Sequence, residues 1–293
     1  MRKIAFIGLG AMGRQMARNL VERGFNVHGF DINPAAVDYL RHAGGAGAAS
    51  AAEAIKDADA IILMVVNAAQ AERVLFDDDA LKAASKRAVV CLMATCPPKT
   101  VEKLSARVDA LGYGFVDAPV SGGTVGAEAA SLTIMAAGEG GAFTAVRPAL
   151  EAMGSRLVHV GDRPGQGAIV KTINQLLCGV HIAAAAEALA LAEKLGVNAA
   201  SILDIMQETA AASWMLKNRG PRMLQTEPEV TSAVDIFVKD LGIVLEAGRD
   251  SCAALPLAAI SHQLFLSVSG RGGGAADDSQ VVRAYHALNG KRE

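Results

Sequence analysis

Three groups of residues in this sequence have the types and spacing that chemistry requires. The first is Lys171 with Asn174 and Gln175. Positions i, i+3 and i+4 share one helix face, so an amine and two amides project together. Desolvation on a partly buried face penalises an ammonium and lowers its pKa towards values useful in proton transfer. A solvated lysine at a helix start would read the same from this segment alone. The second group is Asp117-Ala118-Pro119-Val120-Ser121-Gly122-Gly123. Ser121, Gly122 and Gly123 offer a hydroxyl and bare backbone N–H groups, a nest suited to a carboxylate. A structural loop is the competing reading. The third is Gly8-Leu9-Gly10-Ala11-Met12-Gly13, with Asp31 lying 18 residues beyond Gly13. Such glycines permit a tight turn and close approach of backbone to a pyrophosphate, which then sits on a helix N-terminus. Asp31 can accept both hydroxyls of a ribose, and Ile32-Asn33-Pro34 offers no arginine for a 2′-phosphate, so NAD is favoured over NADP. A plain tight turn with a capping aspartate is the alternative.

The elements around these groups have a regular order. Lys3–Gly8, Asn26–Asp31, Ala60–Val66, Ala88–Met93 and Tyr113–Asp117 are continuous apolar runs, as expected of strands buried on both faces of a parallel sheet. Segments such as Met12–Arg23 and Ala35–Ala43 between them have helical spacing. Ser131–Ala137 and Arg156–Val160 read as two further strands. Repeated βα units predict an α/β doubly wound sheet of the Rossmann type, with the Asp117–Gly123 loop at a strand's C-terminal end, where ligands of open sheets bind. After the turn-forming Asp162–Gly167 no strand is evident. Ile169–Leu195 reads as one long helix, apolar almost all round from Leu176 to Ala192, which suits a bundle core or a subunit interface. Helices are also expected at Ala199–Ala211, Ser232–Ala247, Pro256–Ser269 and Ser279–Leu288, with a flexible loop at Gly270–Gly274. The expected division is therefore a Rossmann domain over 1–163 and an all-helical domain over 164–293.

Composition narrows the function. The 293 residues carry 28 Lys and Arg against 30 Asp and Glu, so a nucleic-acid or acidic-membrane binder, which needs a basic surplus, is excluded. With 52% apolar residues and a net charge of −2, disorder is excluded too. Cys91, Cys96, Cys178 and Cys252 form no CxxC pair and have no histidine cluster at zinc spacing, so no metal site is expected, and reduced thiols in a cytoplasmic protein are the simplest reading. The glycine-interrupted start lacks a cleavage-like site, and no apolar stretch reaches about 18 residues without a charge, so neither a signal peptide nor a membrane span is expected. His181 is read as a satisfied core histidine and Trp214 as a packing anchor.

Together, Gly8–Gly13, Asp117–Gly123 and Gly165-x-Gly167-x-x-x-Lys171-x-x-Asn174 resemble the β-hydroxyacid dehydrogenase family, which includes 3-hydroxyisobutyrate dehydrogenase, tartronate semialdehyde reductase and 6-phosphogluconate dehydrogenase. The resemblance spans essentially the whole chain. It implies substrate held between a Rossmann and a helical domain, dimers or tetramers, and a catalytic lysine at Lys171. It implies a substrate loop at Ser121, Gly122 and Gly123, and cofactor contacts from Asn67, Thr95 and Lys239 of Lys239-Asp240-Leu241. Two positions depart from the family pattern. Gln175 stands where the second of two asparagines is common, and Leu92-Met93-Ala94-Thr95 keeps only the threonine of Asp-x-Ser-Thr. The stretches Asn174–Val197, Ala212–Arg219 and Ser232–Val244 are most similar to the L-threonate dehydrogenase subgroup, which oxidises a four-carbon sugar acid at C2. The longer amide of Gln175 and His181 would suit extra substrate hydroxyls. The alternatives are a 3-hydroxyisobutyrate dehydrogenase or a reductase of tartronate or succinic semialdehyde. A non-catalytic dinucleotide-binding module is the reading of a different class, and the presence of Lys171 weighs against it.

Overall fold

Strand β1 (Ile4–Ile7) alternates its side chains between two helical layers, and the same logic builds the whole sheet. Ile4 and Phe6 join one apolar core, Ala5 and Ile7 the other. The further strands are β2 (Val27–Phe30), β3 (Ala46–Gly47), β4 (Ala60–Leu63), β5 (Val89–Leu92), β6 (Gly114–Asp117), β7 (Val120–Ser121), β8 (Thr133–Ala137) and β9 (Arg156–Gly161). The computed structural model describes residues 3–290, so the outermost residues of the expected 1–163 and 164–293 domains lie outside it. Strand order is β3-β2-β1-β4-β5-β6-β8-β7, with β9 on β8. Pairing is parallel from β3 to β6, the doubly wound order whose crevice lies beyond the strands' C-terminal ends. β8 runs antiparallel to β6 and β7.

The connecting helices are α1 (Gly13–Glu22), α2 (Pro34–His42), α3 (Ala51–Ile55), α4 (Ala68–Phe76), α5 (Pro98–Asp109), α6 (Gly123–Glu128) and α7 (Gly140–Met153). Met16 and Leu20 of α1 and Val146 and Leu150 of α7 cover one face of the sheet; Leu75 of α4 and Val101 and Leu104 of α5 cover the other. Burying each such side chain contributes about 1.5–3 kcal/mol, which explains why both strand faces are apolar.

The remaining chain is helical: α8 (Gln166–Lys194), α9 (Ala199–Met206), α10 (Trp214–Met223), α11 (Val234–Ser251), α12 (Pro256–Val268) and α13 (Val282–Leu288). Its core joins Ile182, Ala186 and Leu189 of α8 to Phe237, Leu241 and Val244 of α11 and Phe265 of α12. The rings of Phe237 and Phe265 stack with centroids 5.1 Å apart. A Cβ at Gly179 would lie 2.7 Å from Leu241, so the glycine lets α11 approach α8 closely. A buried ion network ties α10 to the segment before α13. Arg219 grips Asp278 through two bonds of 2.9 Å, and Arg222 Nε reaches Asp277 at 2.9 Å. Breaking a buried pair of this kind strands a charge and costs about 3–5 kcal/mol.

The chain divides into compact units Met1–Lys171 and Thr172–Glu293, with the first turn of α8 seated on the sheet. Other expectations are corrected. α8 is long and apolar enough to cross a membrane by length and composition, although none was expected to be; half of its most apolar stretch is buried within the protein. Gly270–Gly274 is no loose loop: Ser269–Gly273 continues α12 as a wide helical turn that ends through Gly272 at φ +88°. α10 lies between the expected helices: Pro221 sits inside it, and Gly220 makes room for Leu203.

Candidate active site

The Gly8–Gly13 turn is shaped by what a side chain would strike. Gly8 takes φ +95°, and a Cβ at Gly13 would collide with the Gly8 carbonyl, so only glycine lets α1 start directly over the turn. Leu9 is buried and pins the turn to the core, and Met12 packs partly against it. Gly10 and Ala11 are exposed, with bare backbone at a helix N-terminus. Asp31 follows β2, and both its oxygens are held: Oδ2 accepts from Leu9 N–H at 2.6 Å and Oδ1 from Asn33 N–H at 2.8 Å. Open backbone for a pyrophosphate and a fixed carboxylate for a ribose diol fit a bound dinucleotide.

Asn67 and Thr95 follow β4 and β5, at the same edge of the sheet. Asn67 is exposed and caps α4, its Oδ1 accepting from Gln70 N–H at 2.9 Å. Thr95 is half-buried beside the buried Cys96. Ser121 ends β7, where it pairs with Thr133 of β8, and Gly122 and Gly123 lead into α6.

Lys171 lies in the second turn of α8 and is 7% exposed. Beyond it, four side chains of the second unit form a chain. Asn174 Nδ2 donates to Gln175 Oε1 at 2.8 Å, Gln175 Nε2 donates to Asp240 Oδ2 at 2.5 Å, and Asp240 Oδ1 meets Lys239 Nζ at 2.7 Å. Gln175 is therefore buried with both ends of its amide tied to the protein, and Asp240 holds the lysine helix and Lys239 at once. Asn174 also reaches Cys178 Sγ at 3.3 Å, which is partly buried against the helical core.

His181 is not a core histidine. It is exposed and lines a groove of about 350 Å³ with Ala184, Ala188, Ile202 and Met206. Trp214 is 52% exposed and lies under the Arg219 guanidinium, 5.7 Å from its ring centroid, so it packs against charge more than against the core. Sequence reasoning found in Asp117 only the first residue of a loop. In the structure it is fully buried and accepts from Gly165 and Ala168 N–H at 3.1 and 2.7 Å. Burial pushes its carboxyl up to about 7, against the pull of the Ala168, Gly165 and Gly167 N–H groups. Among the described residues no group of three or more His, Cys, Asp or Glu could hold a metal ion.

Residues 3–161 match the NAD-binding domain of 6-phosphogluconate dehydrogenase, and residues 165–285 the NAD-binding domain of NADP-dependent 3-hydroxyisobutyrate dehydrogenase. L-threonate dehydrogenase of Cupriavidus necator is 42% identical over 100% of this chain and 99% of its own. The NAD-dependent L-serine dehydrogenase of Pseudomonas aeruginosa is 34% identical over 99% of this chain and 100% of its own. The crystal structure of a 3-hydroxyisobutyrate dehydrogenase from Salmonella typhimurium superposes with a TM-score of 0.92 at 40% identity, covering 97% of this chain and 99% of that one. The chain belongs to the 3-hydroxyisobutyrate dehydrogenase-like family of β-hydroxyacid dehydrogenases and is an NAD-dependent oxidoreductase of hydroxyacids.

Proposed function

We propose that this enzyme oxidises L-threonate at C2 to 2-oxo-tetronate. The full-length similarity to L-threonate dehydrogenase of Cupriavidus necator carries the choice of substrate. Ser121 and the N–H groups of Gly122 and Gly123 hold the carboxylate. Lys171, neutral at the start of oxidation, takes the hydroxyl proton as C2 gives up its hydride; in reverse its ammonium polarises the carbonyl and returns the proton. Bound NAD would supply the hydride acceptor. Gly8–Gly13, Asp31, Asn67 and Thr95 would hold it within the first unit, and the family resemblance implies Lys239 as a further contact. Asn174 orients the substrate beside Lys171, and Gln175 acts through Asn174 and Asp240. A second reading, 3-hydroxyisobutyrate oxidation, is favoured by the superposition on the Salmonella 3-hydroxyisobutyrate dehydrogenase.

We further infer a cytoplasmic homodimer or homotetramer. Ile169, Ile173, Leu177 and Leu191 of α8, with Leu195 just beyond its end, leave an exposed apolar stripe, which a second copy would cover.

A panel of L-threonate, D-glycerate, 3-hydroxyisobutyrate and L-serine, assayed with NAD⁺, tests the substrate. L-threonate is expected to exceed every other acid in kcat/KM by at least about tenfold, a difference of about 1.4 kcal/mol in transition-state binding. A higher value for 3-hydroxyisobutyrate would transfer the assignment to the second reading. NAD⁺ binding without turnover of any acid would favour a non-catalytic module.

A further inference from the structure

Asp117 performs no step of that mechanism, yet it is fully buried, and its two oxygens differ. Oδ2 accepts from two backbone N–H groups at the start of α8, whereas Oδ1 has no hydrogen-bond partner among the described residues. A helix start leaves four N–H groups without intrahelical acceptors, and a side chain at the start usually serves them. α8 opens with Gly165-Gln166-Gly167-Ala168. Neither the glycines nor the alanine can supply an acceptor, and the Gln166 side chain is turned back to Arg163 N–H at 3.0 Å. Asp117 supplies the cap from another strand.

The seat is tight. A Cβ at Gly167 would lie 2.5 Å from the Met135 carbonyl oxygen, 2.8 Å from that of Asp117 and 3.0 Å from Asp117 Oδ2. The first turn of α8 is thus pressed onto the end of β6 and the middle of β8, and Lys171 follows Ala168 by about one turn. The same aspartate stands at the root of the Ser121 loop. Ala118 N–H donates to the Leu92 carbonyl at 2.8 Å, and the Pro119 carbonyl accepts from Met135 N–H at 3.0 Å.

We propose that Asp117 is a positioning residue for the hydride-transfer reaction: it clamps the first turn of α8 to the root of the Ser121–Gly123 loop, so that proton acceptor and carboxylate nest keep a fixed separation. The inference rests on the acid–base reading of Lys171. Misplacing reacting groups by about 1 Å costs on the order of 100-fold in rate, without requiring loss of either ligand.

The test compares Asp117→Ala, Asp117→Asn, Gly167→Ala and Lys171→Ala in the full-length enzyme. For each, kcat and KM are measured with the best acid of the panel, with NAD⁺ Kd by calorimetry and the melting transition. Asp117→Ala and Gly167→Ala are expected to lower kcat about 100-fold, with KM and NAD⁺ Kd within about threefold of the parent. Asp117→Asn keeps one carbonyl acceptor for the Gly165 and Ala168 N–H groups and is expected to lose only about tenfold. If Asp117→Ala does not fold, Gly167→Ala decides. The clamp is refuted if Gly167→Ala or Asp117→Ala folds and keeps kcat within about twofold, or if kcat, Kd and cooperative melting are all lost together in Gly167→Ala and Asp117→Asn. An inactive Lys171→Ala beside parental rates in the clamp variants overturns the clamp alone. An active Lys171→Ala overturns the acid–base reading and the clamp with it.

Discussion

Replacing Lys171 with alanine is expected to lower kcat by on the order of 10³–10⁴-fold, towards the top of the range for a positioned acid–base group. NAD⁺ affinity is expected to stay within about twofold of the parent, because the substitution leaves every residue proposed to hold the dinucleotide unchanged. The size of the effect follows from the bond being broken. An alkoxide cannot form in a water-poor site without a local proton acceptor, and Lys171, 7% exposed, is the amine that the α8 face offers. Lys171→Arg separates proton transfer from charge. Arginine keeps the cation but stays protonated at every working pH, so it cannot accept the hydroxyl proton. Its oxidation rate should therefore be as low as that of the alanine variant. Steady-state rates and calorimetry of both variants check this, and an Arg variant within about tenfold of the parent would reduce Lys171 to an electrostatic role.

The second large effect concerns Asp31. Two hydrogen bonds from ribose hydroxyls to a carboxylate are worth about 1.5–3 kcal/mol each, and a 2′-phosphate placed there meets a like charge. The ratio of kcat/KM for NAD⁺ over NADP⁺ should fall about 100-fold in Asp31→Ser. Asp31 also shapes the turn through Leu9 and Asn33 N–H, so Asp31→Asn, which keeps one acceptor, is the milder companion. An unchanged cofactor ratio in both variants would place the discrimination on other residues.

What could be read from the sequence was what local pattern encodes. Ile4–Ile7, Ala60–Leu63 and Val89–Leu92 are apolar at every position because both of their faces are covered, and runs of that kind between helical spacings announce a parallel sheet. The glycines at positions 8 and 13 were legible because a steric demand between neighbours leaves no other residue type. Long-range contacts left no such trace. Gln175 could be placed on the Lys171 face by spacing, but its bond to Asp240 joins residues 65 apart in the chain. Asp117 caps a helix whose start lies 48 residues further on, and Gly165-Gln166-Gly167 reads as a turn until that carboxylate is seen beneath it. His181 is exposed, not buried: an apolar sequence neighbourhood does not reveal which stripe of a long helix is covered. Its neighbours in space, Ala184 and Ala188, line an open groove.

Hydride passing directly from C2 of the hydroxyacid to NAD⁺ can be followed with L-threonate deuterated at C2. With the purified enzyme and NAD⁺, one deuterium is expected in the NADH for each acid oxidised, none in water, and turnover slower than with the protiated acid. Deuterium released to water, or NADH formed without label, would contradict direct transfer.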